Sequence, residues 1–311
     1  MDNISNEEND TSQSKPRRTW WQLIRRMVFL YVIVPYLSLT LLCFVFQRKM
    51  MYAPTVAESL QVEALGLDLE LIHDEQIQTP DGETLNGWHL TPPLADLENK
   101  SPLMIYFPGN ASNRHGRITD LREVAAAGFN VLIFDYRGYG DSSGKTTEKN
   151  LTADARLVWK YAREELNYDE DQIVVFGESL GGAVSLSLWA ADNPNPPQPA
   201  ALILNSTFYS MPKTAAYHYP VFPFRYLVLD RWPSMDRIEN VSAPITTYHG
   251  TVDQIVPVAH GRELAQAGNN VEFIELPNCG HNDIPIHHLR TKLELVRAEM
   301  MEKTAIPLNE L

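Results

Sequence analysis

The longest uninterrupted apolar stretch covers residues 27–46, twenty positions without a charge. A helix rising about 1.5 Å per residue spans about 30 Å over that length, the thickness of a bilayer's hydrocarbon core. Pro35 falls in the middle and predicts a kink, which membrane helices tolerate. A cleaved signal peptide is the alternative, but it needs a shorter apolar core and a small-residue cleavage site. Here the run ends in Gln47, Arg48, Lys49 and Met50, and Ala53 is followed by Pro54. The expectation is an uncleaved single-pass membrane anchor over 27–46. Residues 1–26 before it are polar and basic, and the first fourteen have the composition of a disordered tail. Lys15, Arg17, Arg18, Arg25 and Arg26 precede the run, while Arg48 and Lys49 follow it. This excess of basic residues predicts that the rest of the chain lies on the non-cytoplasmic side.

After residue 52 the pattern changes to short apolar runs alternating with amphipathic ones, which predicts one domain reaching residue 311. Residues 69–78 and Thr84–Leu90 flank Pro80-Asp81-Gly82 and predict a hairpin. Strands are then expected at Leu103–Phe107, 131–134, 173–176, 201–204, 245–248 and Val271–Leu276. Most are continuous branched or aromatic runs, as in parallel strands buried on both faces. Leu151, Ala155, Val158 and Ala162 recur at helical spacing, and a helix over 282–303 closes the domain. The predicted fold class is α/β: a mostly parallel, doubly wound sheet with an N-terminal antiparallel hairpin, preceded by one transmembrane helix. Ligand sites of such sheets lie in loops at the carboxyl ends of strands.

Composition narrows the function. With 44% hydrophobic and 21% charged residues, the chain can fill a globular core. Its net charge of −13 repels phosphate backbones and anionic lipid headgroups, so nucleic acid is not an expected partner. Two cysteines, Cys43 and Cys279, support neither a disulfide framework nor a CxxC zinc site.

The strand at 173–176 runs into Gly177-Glu178-Ser179-Leu180-Gly181-Gly182 and then an apolar helix, the G-x-S-x-G nucleophile elbow. A sharp strand-to-helix turn projects the serine hydroxyl above the sheet, and the next N–H can face a developing oxyanion. An inert serine in a tight glycine turn is the alternative. A nucleophilic serine needs a base, and the base an orienting acid, in the chain order Ser, Asp or Glu, His. Asp253, in His249-Gly250-Thr251-Val252-Asp253, and His281, in Gly280-His281-Asn282-Asp283, both follow strands in that order. Asp230 and Asp236 are rival acids in a longer irregular stretch. The predicted catalytic residues are Ser179, Asp253 and His281. The predicted oxyanion donors are the N–H groups of Leu180 and of Asn110, the latter in the loop Phe107-Pro108-Gly109-Asn110. The polar loop from Asp135 to Gly144 is expected to brace the elbow, with an internal pair between Asp135 and Arg137 open to it. An aromatic-rich insertion at about 205–238 sits where a lid would be. Phe208, Tyr219 and Phe222 either line an apolar acyl pocket or simply pack a short helix on the sheet.

The segments Pro-Gly-Asn-Ala at 108, Asp-Tyr-Arg-Gly-Tyr-Gly at 135, Gly-Glu-Ser-Leu-Gly-Gly at 177, His-Gly-Thr-x-Asp at 249 and Gly-His-Asn-Asp at 280 together resemble one branch of the α/β-hydrolase superfamily. That branch holds membrane-anchored α/β-hydrolase-domain proteins, similar to the fungal bud-emergence-like proteins and the serine aminopeptidase-like hydrolases. The resemblance runs from about Phe46 to the end. It implies the same Ser179, Asp253 and His281 assignment, and cleavage of esters, thioesters or amides. Pro108 is a departure, because many members carry histidine before the glycine.

An esterase or thioesterase acting on a small-molecule or lipid-like acyl substrate is the first reading. A peptidase or amidase with the same machinery is the second, and a non-catalytic binding module on a hydrolase scaffold the third. None calls for a metal or organic cofactor, and Gly138-Tyr139-Gly140-Asp141 lacks the lysine of a P-loop.

Overall fold

A computed structural model describes residues 19–92, 101–284 and 286–304, so most of the expected tail lies outside the described residues. The described residues divide into two units, one ending at Phe46 and the other beginning at Gln47.

In the first unit, helix starts at Trp20, where Thr19 and Gln22 form a reciprocal capping box. Helix α1 (Trp20–Val28) passes through a π-helical turn at Phe29–Ile33 into α2 (Val34–Met51), whose last residues belong to the second unit. The helical stretch Trp20–Met51 is long and apolar enough to cross a membrane, and it extends beyond the predicted span at both ends. The wide turn ends just ahead of Pro35, which lacks an N–H and crowds the carbonyl four residues earlier.

The second unit begins with β1 (Ala53–Pro54), β2 (Ile72–Gln78) and β3 (Thr84–Leu90). Then come β4 (Leu103–Phe107), β5 (Ala111–Ser112), α3 (Ile118–Ala126), β6 (Asn130–Phe134), α4 (Glu148–Glu164), β7 (Ile173–Glu178), α5 (Leu180–Leu186) and β8 (Ala201–Asn205). Short helices α6 (Met211–His218), α7 (Phe224–Leu227) and α8 (Ser234–Ile238) follow, then β9 (Ile245–Gly250), α9 (Val258–Ala267), β10 (Val271–Leu276) and α10 (Ile286–Thr304). Eight strands form one sheet in the order β10-β9-β8-β7-β4-β6-β3-β2. The β2–β3 and β3–β6 pairs are antiparallel, and the rest are parallel.

Alternate residues of β4 explain the layers. Leu103, Ile105 and Phe107 join one buried cluster with Leu151, Ala155 and Val158 of α4 and Leu264 of α9. Met104 and Tyr106 join the other with Leu121 and Val124 of α3 and Leu289, Leu293 and Val296 of α10. Strand order reverses between β4 and β7, so the loops leaving these two strands meet at a topological switch point.

Three expectations are corrected. The hairpin's first strand starts at Ile72, because residues before it form turns. The closing helix starts at Ile286, leaving His281 to Ile284 in a turn. Asp135 and Arg137 do not pair with each other. Asp135 binds Arg114 at 2.6 Å, while Arg137 faces α4 and binds Asp154 at 2.7 Å and Asp81 at 2.5 Å. The strand ends at Phe134 and the chain turns at Arg137, so the two side chains take partners from different elements.

Candidate active site

Ser179 occupies the turn between β7 and α5 with φ 51° and ψ −111°, a backbone conformation that costs a non-glycine residue about 1–3 kcal/mol. Its neighbours explain why the turn can form. A Cβ on Gly181 would lie 1.9 Å from the carbonyl oxygen of Phe107 and 2.6 Å from that of Pro108, and one on Gly177 would meet Gly181. Only glycines let the elbow and the loop after β4 approach so closely.

Asp253 and His281 are brought together by the pairing of the last two strands. β9 and β10 run parallel in register from Ile245 against Val271 to Gly250 against Leu276. Beyond the strands the turns stay laced: Val252 N–H donates to Cys279 O at 3.1 Å, and Asn278 N–H donates to Thr251 Oγ1 at 3.0 Å. His281 Nδ1 lies 2.7 Å from Asp253 Oδ2, and its Nε2 lies 2.9 Å from Ser179 Oγ. The three side chains thus form one hydrogen-bonded chain across 102 positions of sequence.

The other oxygen of Asp253 accepts the N–H groups of Ile255 and Val256, both at 2.8 Å. Burial by itself would raise this carboxyl. The hydrogen bonds from His249 and His281, the charge of His281 and the Val256 N–H outweigh burial and hold it well below the usual carboxylate range. His249, which the motif reading passed over, is fully buried. Its Nε2 lies 2.8 Å from Val256 O and 3.4 Å from Asp253 Oδ2. Its spacing of four from Asp253 within one motif was the available signal.

Among the rival acids, Asp230 is spoken for: it binds Arg48 at 2.9 Å and accepts from the Tyr52 hydroxyl at 3.0 Å. Asp236 lies on α8.

The Asn110 side chain is engaged in holding its loop. Its Nδ2 donates to Met51 O, and its Oδ1 accepts from the Tyr139 hydroxyl at 2.8 Å and from Ala53 N–H at 3.3 Å. Tyr136 donates to Pro108 O at 2.8 Å. The backbone of this loop is thereby fixed beside Leu180, which follows Ser179 at the start of α5.

The three insertion rings do not converge. Phe208 is buried in the core cluster that holds Trp232 and Leu180. Tyr219 and Phe222 both rest on Phe224, edge-on at 5.6 Å and stacked at 4.9 Å respectively. A polar cavity of about 100 Å³ abuts His281 and is lined by Tyr106, Arg117, Asp120, Glu178 and Tyr248 among others. In it Glu178 pairs with Arg117 at 3.1 Å and accepts from the Tyr106 hydroxyl at 3.2 Å. Burial and the Glu178 charge raise the Tyr106 phenol, so it stays a donor.

A mostly parallel doubly wound sheet with a nucleophile elbow at its switch point defines an α/β hydrolase. Known proteins agree. The family described as serine aminopeptidase, S33, matches residues 109–235. An uncharacterized protein of Mycobacterium tuberculosis is 34% identical over 261 residues, covering 84% of this chain and 89% of the relative. Protein bem46 of Schizosaccharomyces pombe is 31% identical over 217 residues, 67% of this chain and 70% of that protein. The structure of a Pyrococcus furiosus esterase superposes with a TM-score of 0.59 at 18% identity, covering 81% of this chain and 98% of the esterase. The chain belongs to the α/β-hydrolase family, with bem46 among its relatives.

Proposed function

We propose that this hydrolase cleaves an acyl ester or thioester through an acyl-Ser179 intermediate. The observation that carries the reading is the unbroken chain from Ser179 Oγ through His281 to Asp253, at 2.9 and 2.7 Å. In this mechanism the Ser179 oxygen attacks the acyl carbon while His281 Nε2 takes its proton. The tetrahedral oxyanion accepts the N–H groups of Leu180 and Asn110, each such donor being worth about 10²–10³ in rate. His281 then protonates the leaving group, and the acyl-enzyme is released when a water, deprotonated by the same imidazole, attacks it. Asp253 fixes the tautomer with the proton on Nδ1 and stabilises the imidazolium. Tyr219 and Phe222 are assigned to the rim that meets the acyl chain. Phe208 acts from behind, as packing beneath it.

Peptide cleavage by the same groups is the second reading, favoured by the family description as serine aminopeptidases. A non-catalytic module would have no use for a strained serine with its base already in hydrogen-bond range. We further infer that residues 27–46 anchor the enzyme in a membrane, with the domain from residue 52 onward on the non-cytoplasmic side. The test is turnover of p-nitrophenyl esters, thioesters and anilides by the full chain. Ester or thioester hydrolysis should dominate and fall about 10⁶-fold in Ser179→Ala. Turnover of anilides alone would shift the assignment to the peptidase, and turnover unaffected by Ser179→Ala would overturn both.

A further inference from the structure

We propose that the outer surface of the 205–238 insertion is a membrane-docking face that lies on the bilayer holding the anchor, and that the enzyme draws its acyl substrate from that lipid. The proposal rests on the anchor reading, and its substrate clause on the serine-hydrolase reading.

Three observations carry it. The first is an apolar surface of unusual make-up. Tyr217, Val221, Tyr226 and Leu229 of the insertion are 52–73% exposed, and Ile255, two residues from Asp253, is 50% exposed. They form one strip that can be traced by contacts. His218 Nε2 sits 2.8 Å from Ile255 O, its ring touches Tyr217 and Tyr219, Tyr219 rests on Phe224 at the start of α7, and Leu229 follows two residues after that helix ends. Large exposed apolar patches mark contact surfaces, and tyrosines with basic residues suit the headgroup boundary in particular.

The second is charge. The protein carries −13 overall, yet across residues 211–232 the bases are Lys213, which pairs with Glu263 of α9, and Arg225 and Arg231, while the sole acid is Asp230. Asp230 is buried and bound to Arg48. Arg225 lies over the Tyr226 ring at 5.0 Å. An acidic enzyme thus presents two arginines among exposed tyrosines here, a make-up that suits the phosphates and headgroup boundary of a lipid surface.

The third is chain continuity. Gln47 follows the apolar run directly, so in an anchored protein it stands at the membrane boundary. Gln47 Oε1 accepts the Leu229 N–H at 2.8 Å, and its Nε2 donates to Leu227 O at 3.3 Å. Arg48 adds two 2.9 Å bonds to Asp230. The residues that follow the apolar run are clipped to the C-terminal part of the strip, which tethers Leu229 to the point where an anchored chain would leave the lipid. From there the surface leads to the turn that carries Asp253. An acyl chain lifted from the bilayer would reach the site along this face without crossing bulk water.

The experiment uses the full chain in phosphatidylcholine vesicles, with Cys43→Ser and Cys279→Ser removing the native thiols. Single cysteines at Val221, Tyr226 and exposed Lys160 of α4 carry nitroxide labels. Collision with dissolved oxygen is compared with collision with a water-soluble nickel chelate. Labels at 221 and 226 should favour oxygen and the label at 160 nickel; nickel preference at all three overturns the docking face. In a second arm, the Val221→Asp/Tyr226→Asp variant should lose about tenfold of its activity on an ester embedded in vesicles and keep its activity on a soluble short-chain ester. Equal activity on the embedded ester in variant and parent contradicts the proposal. Lipid-facing labels without any esterase turnover would sink the hydrolase reading and leave the docking face standing.

Discussion

The turns that leave β6 and β7 both stand at the carboxyl edge of the sheet, yet they are built to opposite ends. After β6, every charge is met from within. Arg114, 1% exposed, binds Asp135 and Asp141, each at 2.6 Å, while Arg137 binds Asp154 and Asp81. After β7, Ser179 is held at positive φ, half-buried, with its hydroxyl turned toward a histidine borrowed from the far side of the sequence. The first turn spends its charges on partners from other elements and braces the loop that carries Asn110, through Tyr136 and Tyr139. The second keeps strain and a half-buried hydroxyl beside an imidazole. Density of charged residues therefore marks the brace, and backbone strain beside a hydrogen-bonded base marks the site.

That contrast can be broken by substitution. Asp253→Asn leaves the hydrogen-bond geometry possible but favours the wrong imidazole tautomer, so ester turnover should drop about 10⁴-fold with little change in urea stability. Arg114→Ala should do the reverse. It strands two carboxylates, one of them 1% exposed, and should cost about 3–5 kcal/mol in urea unfolding, while the folded fraction keeps its KM. Comparable loss of turnover per folded molecule in both variants would erase the distinction. Replacing Tyr219 or Phe222 by alanine should shift the preferred acyl-chain length, with turnover of acetyl esters changing by less than about threefold. An unchanged chain-length profile would leave these rings as packing on Phe224.

The smallest expected effect concerns His260, buried on α9. Burial first, then the nearby charge of Lys213 and the neighbouring His249 and His218, lower its pKa from 6.5 to about 4 against the opposing pull of Glu263. Between those values the unfolded chain binds the proton more readily, so stability rises with pH across the window and is lost on acidification through it. His260→Gln should flatten the urea midpoint over that range; a midpoint that falls as steeply as in the parent would contradict the assignment.

Much of this was legible in the sequence where local rules act alone. Continuous apolar runs located the strands of the sheet, and the glycines at 177 and 181 announced the elbow, because no other residue permits that approach. Its place in a short loop directly after a strand ranked Asp253 above Asp230, which falls in a longer irregular stretch. Illegible were the pairings that depend on which layer a residue faces. Arg137 reaches an aspartate on α4 and another in the hairpin turn, and Glu178 finds Arg117 ahead of α3. His249 was hidden for the same reason: its contact with Asp253 arises only once the turn after β9 folds back on the strand end. The aromatic insertion was ambiguous because rings serve packing and binding alike, and Phe208 went to the core while Tyr219 and Phe222 stayed near the surface.

The central claim is that the Ser179 hydroxyl is an activated nucleophile. A fluorophosphonate probe reacts with such a serine, and peptide mass mapping locates the adduct. The account predicts a single adduct on the peptide holding Ser179, absent from Ser179→Ala and strongly slowed in His281→Ala. Adduct formation that is undiminished in Ser179→Ala, or that maps elsewhere in the parent protein, would contradict it.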